Sequence, residues 1–205
     1  MTRNRSETET RLYQAFRRLL EEEGFEKVGI NAIAKEAGAD KNLVYRYFGG
    51  LEGLLLRYAE EGDFFAYDAG KEDEPENRLE AMQQRLSAYA RELRQKKGAQ
   101  EILRWQLMHH DEKTRPLFKY ANARLIQAFQ FPASNPAENE DDLEPALAVL
   151  IAGIIYLSLM SKHHKYFMGF RLQSEEDWST LDDTFRMLLA GFVEKETTES
   201  DGKPQ

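Results

Sequence analysis

The feature that most constrains the fold is a pair of short helical segments separated by a glycine, within residues 29–48. The first segment, 33–38, has its apolar residues on one face and ends at Gly38. Asp40 carries a side chain suited to an N-cap, and the second segment, 41–48, follows it directly. Two such helices joined by a tight turn form a helix-turn-helix, which presents its second helix to a DNA major groove.

The rest of the chain also has the periodicity of α-helices and no strand-like alternation. Ser6 and Glu9 have capping-box spacing, which predicts that the first helix begins there, and Gly24 ends it. The predicted fold is all-α: an N-terminal three-helix helix-turn-helix head and a C-terminal helical-bundle domain. Further helices are predicted at 51–58, 78–96, 99–110, 115–131, 143–168 and 174–196, and loops at 60–77 and 132–142. The predicted domains are a DNA-binding domain at 1–58, a ligand-binding and dimerisation domain at 59–198, and a flexible tail at 199–205.

The net charge of −8 does not argue against a nucleic-acid partner, because the charge is unevenly distributed. Residues 1–58 hold ten Lys/Arg and nine Asp/Glu, a net charge of +1, whereas residues 59–205 hold 18 and 27, a net charge of −9. Binding to phosphates depends on the local field and not on the total charge. The longest uncharged run, 146–161, is shorter than the roughly 20 residues that span a bilayer, so a cytoplasmic protein with no membrane partner is expected.

The second helix of the motif supplies the candidate DNA-binding residues. Lys and Arg can bind phosphates or guanine edges, Asn can pair with adenine, and Tyr can bind phosphate while it packs on sugar. A solvated face on an ordinary helix explains the same residue types about equally well. The candidates are Lys41, Asn42, Tyr45, Arg46 and, at the boundary of the outward face, Tyr47.

Residues 6–58 resemble the N-terminal domain of the TetR family of bacterial transcription repressors. The resemblance lies in the apolar first helix and in the pairs and segments Gly24-Phe25, Ile33-Ala34, Ala37-Gly38, 44–48 and Leu54-Leu55. It implies that the five candidate residues contact a palindromic operator in double-stranded DNA. It also implies a homodimer, because two recognition helices must lie about one DNA turn, roughly 34 Å, apart.

Three positions depart from the family pattern. Gly29 stands where the family usually has a Thr that caps the second helix and binds phosphate, and Leu51 stands where a Lys is frequent. Ala39-Asp40 replaces a common Val-Ser and places a negative charge near the DNA. We therefore expect DNA binding that is weaker or more salt-sensitive than in a typical member.

The helix predicted at 143–168 is apolar nearly all round, which favours burial against a second subunit, although a central helix inside a monomer has the same pattern. The resemblance implies that the last two helices pair with those of a partner. The predicted interface residues are Leu150, Ile154, Leu157, Phe185 and Leu189.

Aromatic and polar residues in the middle helices are candidates for binding a small-molecule effector, by analogy with the family. Ordinary core packing is the alternative for any one of them. The candidates are Tyr89, Trp105, His109, Tyr120 and Phe129.

No cofactor, metal site or catalytic site is predicted. The chain has no Cys, and the adjacent histidines at 109–110 and 163–164 point about 100° apart on a helix, which is unsuited to binding one ion. The predicted function is a ligand-responsive transcription repressor and not an enzyme. The alternative is an effector-independent helical scaffold or protein-interaction module with a vestigial DNA-binding head.

Overall fold

The computed structural model describes residues 2–61, 78–109, 112, 114–129 and 143–200. Over these ranges the protein is almost entirely helical, which confirms the predicted all-α class. Of the predicted loop at 60–77, Glu60 belongs to α4 and residues 62–77 lie outside the described residues, as do the predicted loop at 132–142 and the end of the tail. The helices are α1 (Thr2–Arg18), α2 (Ile30–Glu36), α3 (Lys41–Phe48), α4 (Leu51–Glu60), α5 (Arg78–Gln95), α6 (Lys97–Met108), α7 (Arg115–Phe129), α8 (Leu143–Met160) and α9 (Glu175–Ser200).

The first helix begins earlier than predicted, and its helical run ends at Gly24 as predicted. It begins at Thr2, so Ser6 and Glu9 lie inside the helix and do not form the predicted capping box. At its other end it continues into a π-helical turn, Leu19–Glu23, and a 3₁₀ turn, Phe25–Lys27, follows. The spacing of Ser6 and Glu9 alone therefore does not identify where this helix begins.

The described helices form two compact units. The first unit contains α1–α4, α6 and most of α7, and the second contains α5, the end of α7, α8 and α9. The predicted boundary at residue 58 therefore does not separate α6 from the head: α6 packs on the π-helical turn and on the 3₁₀ turn that follow α1.

The core of the head is made by apolar residues from four helices. α1 contacts α2 and α3, and α3 contacts α4. Phe16 and Tyr58 meet edge to face with their ring centroids 6.0 Å apart. Fully buried side chains in this core include Leu12, Phe16, Leu20, Ile33, Val44, Leu54 and Leu55.

The turn between α2 and α3 is built from backbone hydrogen bonds that the sequence predicts. Gly38 has φ of +59°, and its N–H donates to the carbonyl of Lys35. The N–H of Ala39 donates to the carbonyl of Ala34, which completes a Schellman motif. Asp40 then caps α3, its carboxylate accepting from the N–H of Asn42 at 2.7 Å. The angle between the two helices is thus set by a glycine and a cap.

The second unit contains an element that the sequence analysis missed. The predicted helix 143–168 ends at Met160, and a short antiparallel hairpin of β1 (Tyr166–Phe167) and β2 (Phe170–Arg171) follows. The prediction that no strand occurs is wrong at this point. Two residues per strand are too few to show an alternating pattern.

Candidate nucleic-acid interface

α3 presents the predicted DNA-binding residues on its outward face. Val44 is completely buried in the head and fixes the rotation of the helix about its axis. As a result Lys41, Asn42, Tyr45 and Arg46 are all exposed. The fifth candidate, Tyr47, is half-buried, in agreement with its position at the boundary of this face.

The two basic side chains of α3 differ from Arg17 and Arg18 of α1 in their partners. Arg18 forms an ion pair with Glu36 at 2.9 Å, and Arg17 one with Glu21 at 3.2 Å. Among the described residues, neither Lys41 nor Arg46 forms an ion pair. Their charges are not offset by neighbouring carboxylates, so they can bind the phosphates of a nucleic acid.

Arg5 joins the same surface, and the sequence analysis did not select it. Its guanidinium carbon lies 5.5 Å from the centroid of the Tyr47 ring, within range of a cation–π contact. Arg5 is exposed, so it adds a positive charge beside the recognition helix. The excess of arginine before residue 19 is visible in the sequence, but proximity to α3 depends on how α1 and α3 pack.

Two helix N-termini of the head lack side-chain caps. Gly29 is the N-cap of α2, with φ of −159° and ψ of 156°, and Gly50 is the N-cap of α4. Neither position supplies a side-chain hydrogen bond, and Leu51, the first residue of α4, brings no charge. The positions that depart from the family pattern thus lie at the N-termini of helices, where free N–H groups can bind anions.

Arg57 of α4 ties three helices of the head together. Its guanidinium donates to Glu9 of α1 at 3.0 Å and to Glu61 at 2.7 Å, and it lies 4.4 Å from the Tyr13 ring centroid and 5.7 Å from that of Phe48. The hydrogen bond to Glu61 raises the pKa of Arg57. Partial burial pushes the pKa of Glu61 upward, but the hydrogen bond from Arg57 and the nearby Tyr13 hydroxyl outweigh it and leave that pKa below its ordinary value.

Two glycines allow α4 to approach its neighbours closely. A Cβ on Gly53 would lie 1.7 Å from the carbonyl oxygen of Phe48, the last residue of α3. A Cβ on Gly98 of α6 would lie 2.3 Å from the hydroxyl of Tyr58 on α4. α4 therefore lies against the last carbonyl of the recognition helix at Gly53. Its Tyr58 hydroxyl lies against the backbone of α6 at Gly98.

The predicted effector residues are divided between the two units. Trp105, His109 and Tyr120 lie in the first unit, whereas Tyr89 and Phe129 lie in the second. The rings of Trp105 and His109 stack at 3.8 Å, and Phe25 lies 5.2 Å from Trp105. The indole N–H of Trp105 is buried and has no hydrogen-bond acceptor among the described residues. Tyr89 is buried, which raises the pKa of its hydroxyl.

A separate open groove in the first unit has a volume of about 440 Å³. None of the predicted effector residues lines it. Arg115 in this groove forms an ion pair with Glu112 at 2.5 Å, so part of its charge is already offset. The lining residues are Glu52, Glu112, Arg115, Pro116 and Lys119.

The predicted dimer residues lie mostly inside the second unit. Ile154, Phe185 and Leu189 are buried within a single chain, so a partner cannot reach them without rearrangement. Leu150 and Leu157 are half-buried. α8 has apolar residues nearly all round, so the sequence pattern did not distinguish its inner from its outer face.

Within the described residues, no helix is long and apolar enough to cross a membrane. In the same ranges, no three His, Cys, Asp or Glu side chains come together as metal ligands would.

The geometry of the head defines a helix-turn-helix DNA-binding domain: a Schellman turn, a capped recognition helix and outward cations. Residues 12–58 match the family model described as bacterial regulatory proteins, tetR family. This match identifies the head as the DNA-binding domain of the tetR family of bacterial regulatory proteins. No curated protein shows a significant match to the chain.

Proposed function

We propose that the protein is a homodimeric repressor that binds a palindromic operator through α3 and is released by a small-molecule effector. The observation that carries the DNA-binding part is the outward face of α3, where Lys41 and Arg46 are exposed without ion pairs among the described residues. Arg5 extends this face to the N-terminal helix. These groups can bind phosphates, while Asn42 and Tyr45 can reach base edges and sugars.

Exposed apolar residues on α8 support the homodimer. Val149 is 71% exposed and Tyr156 is 47% exposed, and they lie two turns apart on one side of the helix. Ala152 and Gly153, between them, are also exposed, and a Cβ on Gly153 would meet nothing within 4 Å. Small residues flanked by larger apolar ones allow a second helix to approach closely. We therefore move the proposed interface on α8 from Ile154 to this outer face.

α9 offers a second exposed apolar group in the same unit. Met187 is 68% exposed and Leu188 is 45% exposed. Phe185 and Leu189 of the same helix are buried, so α9 has an inner and an outer apolar side. A symmetric pairing of α8 and α9 with a partner would remove these side chains from water. This burial would stabilise the dimer by roughly 25 cal/mol for each Å² of apolar area.

The position of Trp105 supports release by an effector. A buried indole N–H without an acceptor costs about 1–3 kcal/mol, and a ligand that supplied an acceptor would recover it. Trp105 lies on α6 beside Phe25, so a ligand there would act on the helix that packs on the head. By linkage, operator DNA would weaken effector binding by the same factor as the effector weakens operator binding.

A triple substitution tests the DNA-binding role. Lys41→Ala, Tyr45→Ala and Arg46→Ala together are expected to abolish retention of operator fragments selected from the source genome, without lowering the melting temperature. The matched control is Arg91→Ala with Arg124→Ala, which removes the same two charges from exposed positions on α5 and α7. Unchanged binding by the triple variant would contradict the assignment and favour the scaffold with a vestigial head.

A further inference from the structure

The hairpin between α8 and α9 exposes apolar side chains at a strained turn. Its two-residue turn, Met168 and Gly169, has φ of +48° and +85°, the signs of a type I′ turn. Gly or Asn is usual at the first of these positions, and Met is rare there. Met168 is nevertheless 93% exposed, and Tyr166 is 65% exposed.

Several contacts fix the base of the hairpin, so the exposure of its tip does not arise from a loose loop. Phe167 packs edge to face on Tyr156 of α8 at 5.3 Å, and Phe170 packs on Trp178 of α9 at 5.5 Å. The indole N–H of Trp178 donates to the carbonyl of Leu172 at 2.9 Å. The structure thus holds an apolar tip outward at some conformational cost, which is typical of a contact surface.

The contact to Tyr156 connects the hairpin to the exposed face of α8. Tyr156 belongs to the same side of α8 as Val149 and Ala152, where we propose that a second copy binds. The hairpin tip therefore continues that apolar surface beyond the end of the helix.

Charge also favours a second copy of the chain as the occupant. Residues 162–171 contain three Lys/Arg, two His and no acidic residue, whereas residues 59–205 as a whole carry −9. Arg171 is offset by Glu176 and Asp177, but Lys165 is exposed and has no ion pair among the described residues. A basic flank around an apolar tip complements the acidic second domain of another protomer.

We propose that residues 165–171 form an arm that docks on the second domain of the partner in the homodimer. Met168 and Tyr166 enter an apolar surface of the partner, and Lys165 lies against its acidic residues. The proposal rests on the proposed dimer. Because the arrangement is twofold, each protomer contributes one arm. A substitution in the arm therefore alters two contacts in each dimer.

Met168→Asn is the decisive variant. Asn before Gly169 is the preferred sequence for a type I′ turn, so this substitution relieves the strained backbone and keeps the hairpin. It removes only the apolar tip. The dimer dissociation constant, measured by sedimentation over a range of concentrations, is expected to rise at least tenfold, about 1.4 kcal/mol. The monomer, meanwhile, is expected to unfold at the same or a higher temperature.

Met108→Asn is the matched control, because Met108 is 78% exposed on α6 in the other unit. It is expected to leave dimerisation unchanged. A dimer of Met168→Asn as tight as the wild type would overturn the arm while leaving the proposed homodimer intact. A wild type that stays monomeric would overturn both. Loss of binding to anionic vesicles or to DNA, with dimerisation unaffected, would assign the tip to another partner and also overturn the arm.

A crosslinking experiment locates the tip directly. The chain has no Cys, so Met168→Cys provides a single thiol for a photoactivatable label. Crosslinks from position 168 to peptides of α8 or α9 in a differently isotope-labelled protomer are expected. Crosslinks confined to the same protomer would contradict the proposal.

Discussion

Replacing Gly29 by Ser is expected to stabilise the head by about 1 kcal/mol. The backbone at this N-cap is extended, and a Cβ would meet nothing within 4 Å, so the side chain costs no strain. Losing a glycine from the unfolded chain contributes about 0.4–1 kcal/mol. A hydroxyl that accepts from the N–H of Asn31 or Ala32 contributes a few tenths more than glycine does. For a chain of this size the melting temperature would rise by about 2–4 °C.

Gly29→Ala separates the two contributions. Alanine gives the same restriction of the unfolded chain but caps a helix about 1 kcal/mol less well than serine, so its net effect is expected to be near zero. Both variants are compared with the wild type by thermal unfolding at one protomer concentration, because dimerisation shifts the melting temperature. If Gly29→Ala stabilised the protein as much as Gly29→Ser, the reasoning from the cap would be refuted.

The same pair of variants has a separate readout in DNA binding. A hydroxyl at position 29 can donate to a phosphate oxygen, so Gly29→Ser should bind operator DNA more tightly than Gly29→Ala. Because a neutral hydroxyl displaces no counterion, the slope of log K against log salt should not change. A steeper slope for Gly29→Ser would show that the substitution rearranged the charged contacts instead.

Three further changes test the head. Gly53→Ala is expected to destabilise it by about 1–3 kcal/mol in thermal unfolding, although Ala favours an ordinary helix, because the Cβ collides with the Phe48 carbonyl. Leu51→Lys is expected to steepen the salt dependence of operator binding by about 0.9 for each phosphate that the new lysine neutralises, and an unchanged slope would show that it neutralises none. Arg57→Leu is expected to cost about 1–3 kcal/mol in urea unfolding at pH 7. Glu61 has a lowered pKa in the folded head, so its ionised form stabilises the fold above the ordinary pKa of about 4.5. This stabilisation is lost as the pH falls through the pKa of the folded state. Arg57→Leu removes the partner of Glu61, so the loss of stability below about pH 4.5 should be smaller in this variant.

The missing cation at Leu51 also refines the expectation about salt. A lysine that contacts phosphate contributes to counterion release, so its absence lowers affinity and makes the salt dependence shallower. We therefore keep weaker binding as a prediction and replace greater salt sensitivity with a shallower salt dependence.

The head was predictable because its signals are local. Gly38 and Asp40 specify a turn and a cap within a few residues, and the structure has both. The match of the head to the family follows from the same short-range pattern. Side-chain directions on α3 then follow from the burial of Val44.

The outer face of α8 and the hairpin were not predictable in this way. A helix with apolar residues nearly all round gives no periodic signal, so Ile154 could not be separated from its neighbour Gly153 without knowing what packs on the helix. The hairpin depends on a contact between Phe170 and Trp178 and on a positive φ at Met168, neither of which a propensity favours. Arg5 was missed for the same reason, since its partner Tyr47 lies far from it in the sequence.

The contact between Gly98 and Tyr58 has a mechanical consequence. Most helix pairs meet through flexible side chains, which absorb small shifts by changing rotamer and so act as a cushion between them. Here the backbone of α6 at Gly98 lies against the hydroxyl end of Tyr58 on α4, and α4 at Gly53 lies against the carbonyl of Phe48. These two close contacts leave little room for side-chain adjustment. A displacement of α6 is therefore expected to reach the end of the recognition helix with less side-chain adjustment than a contact between flexible side chains would allow.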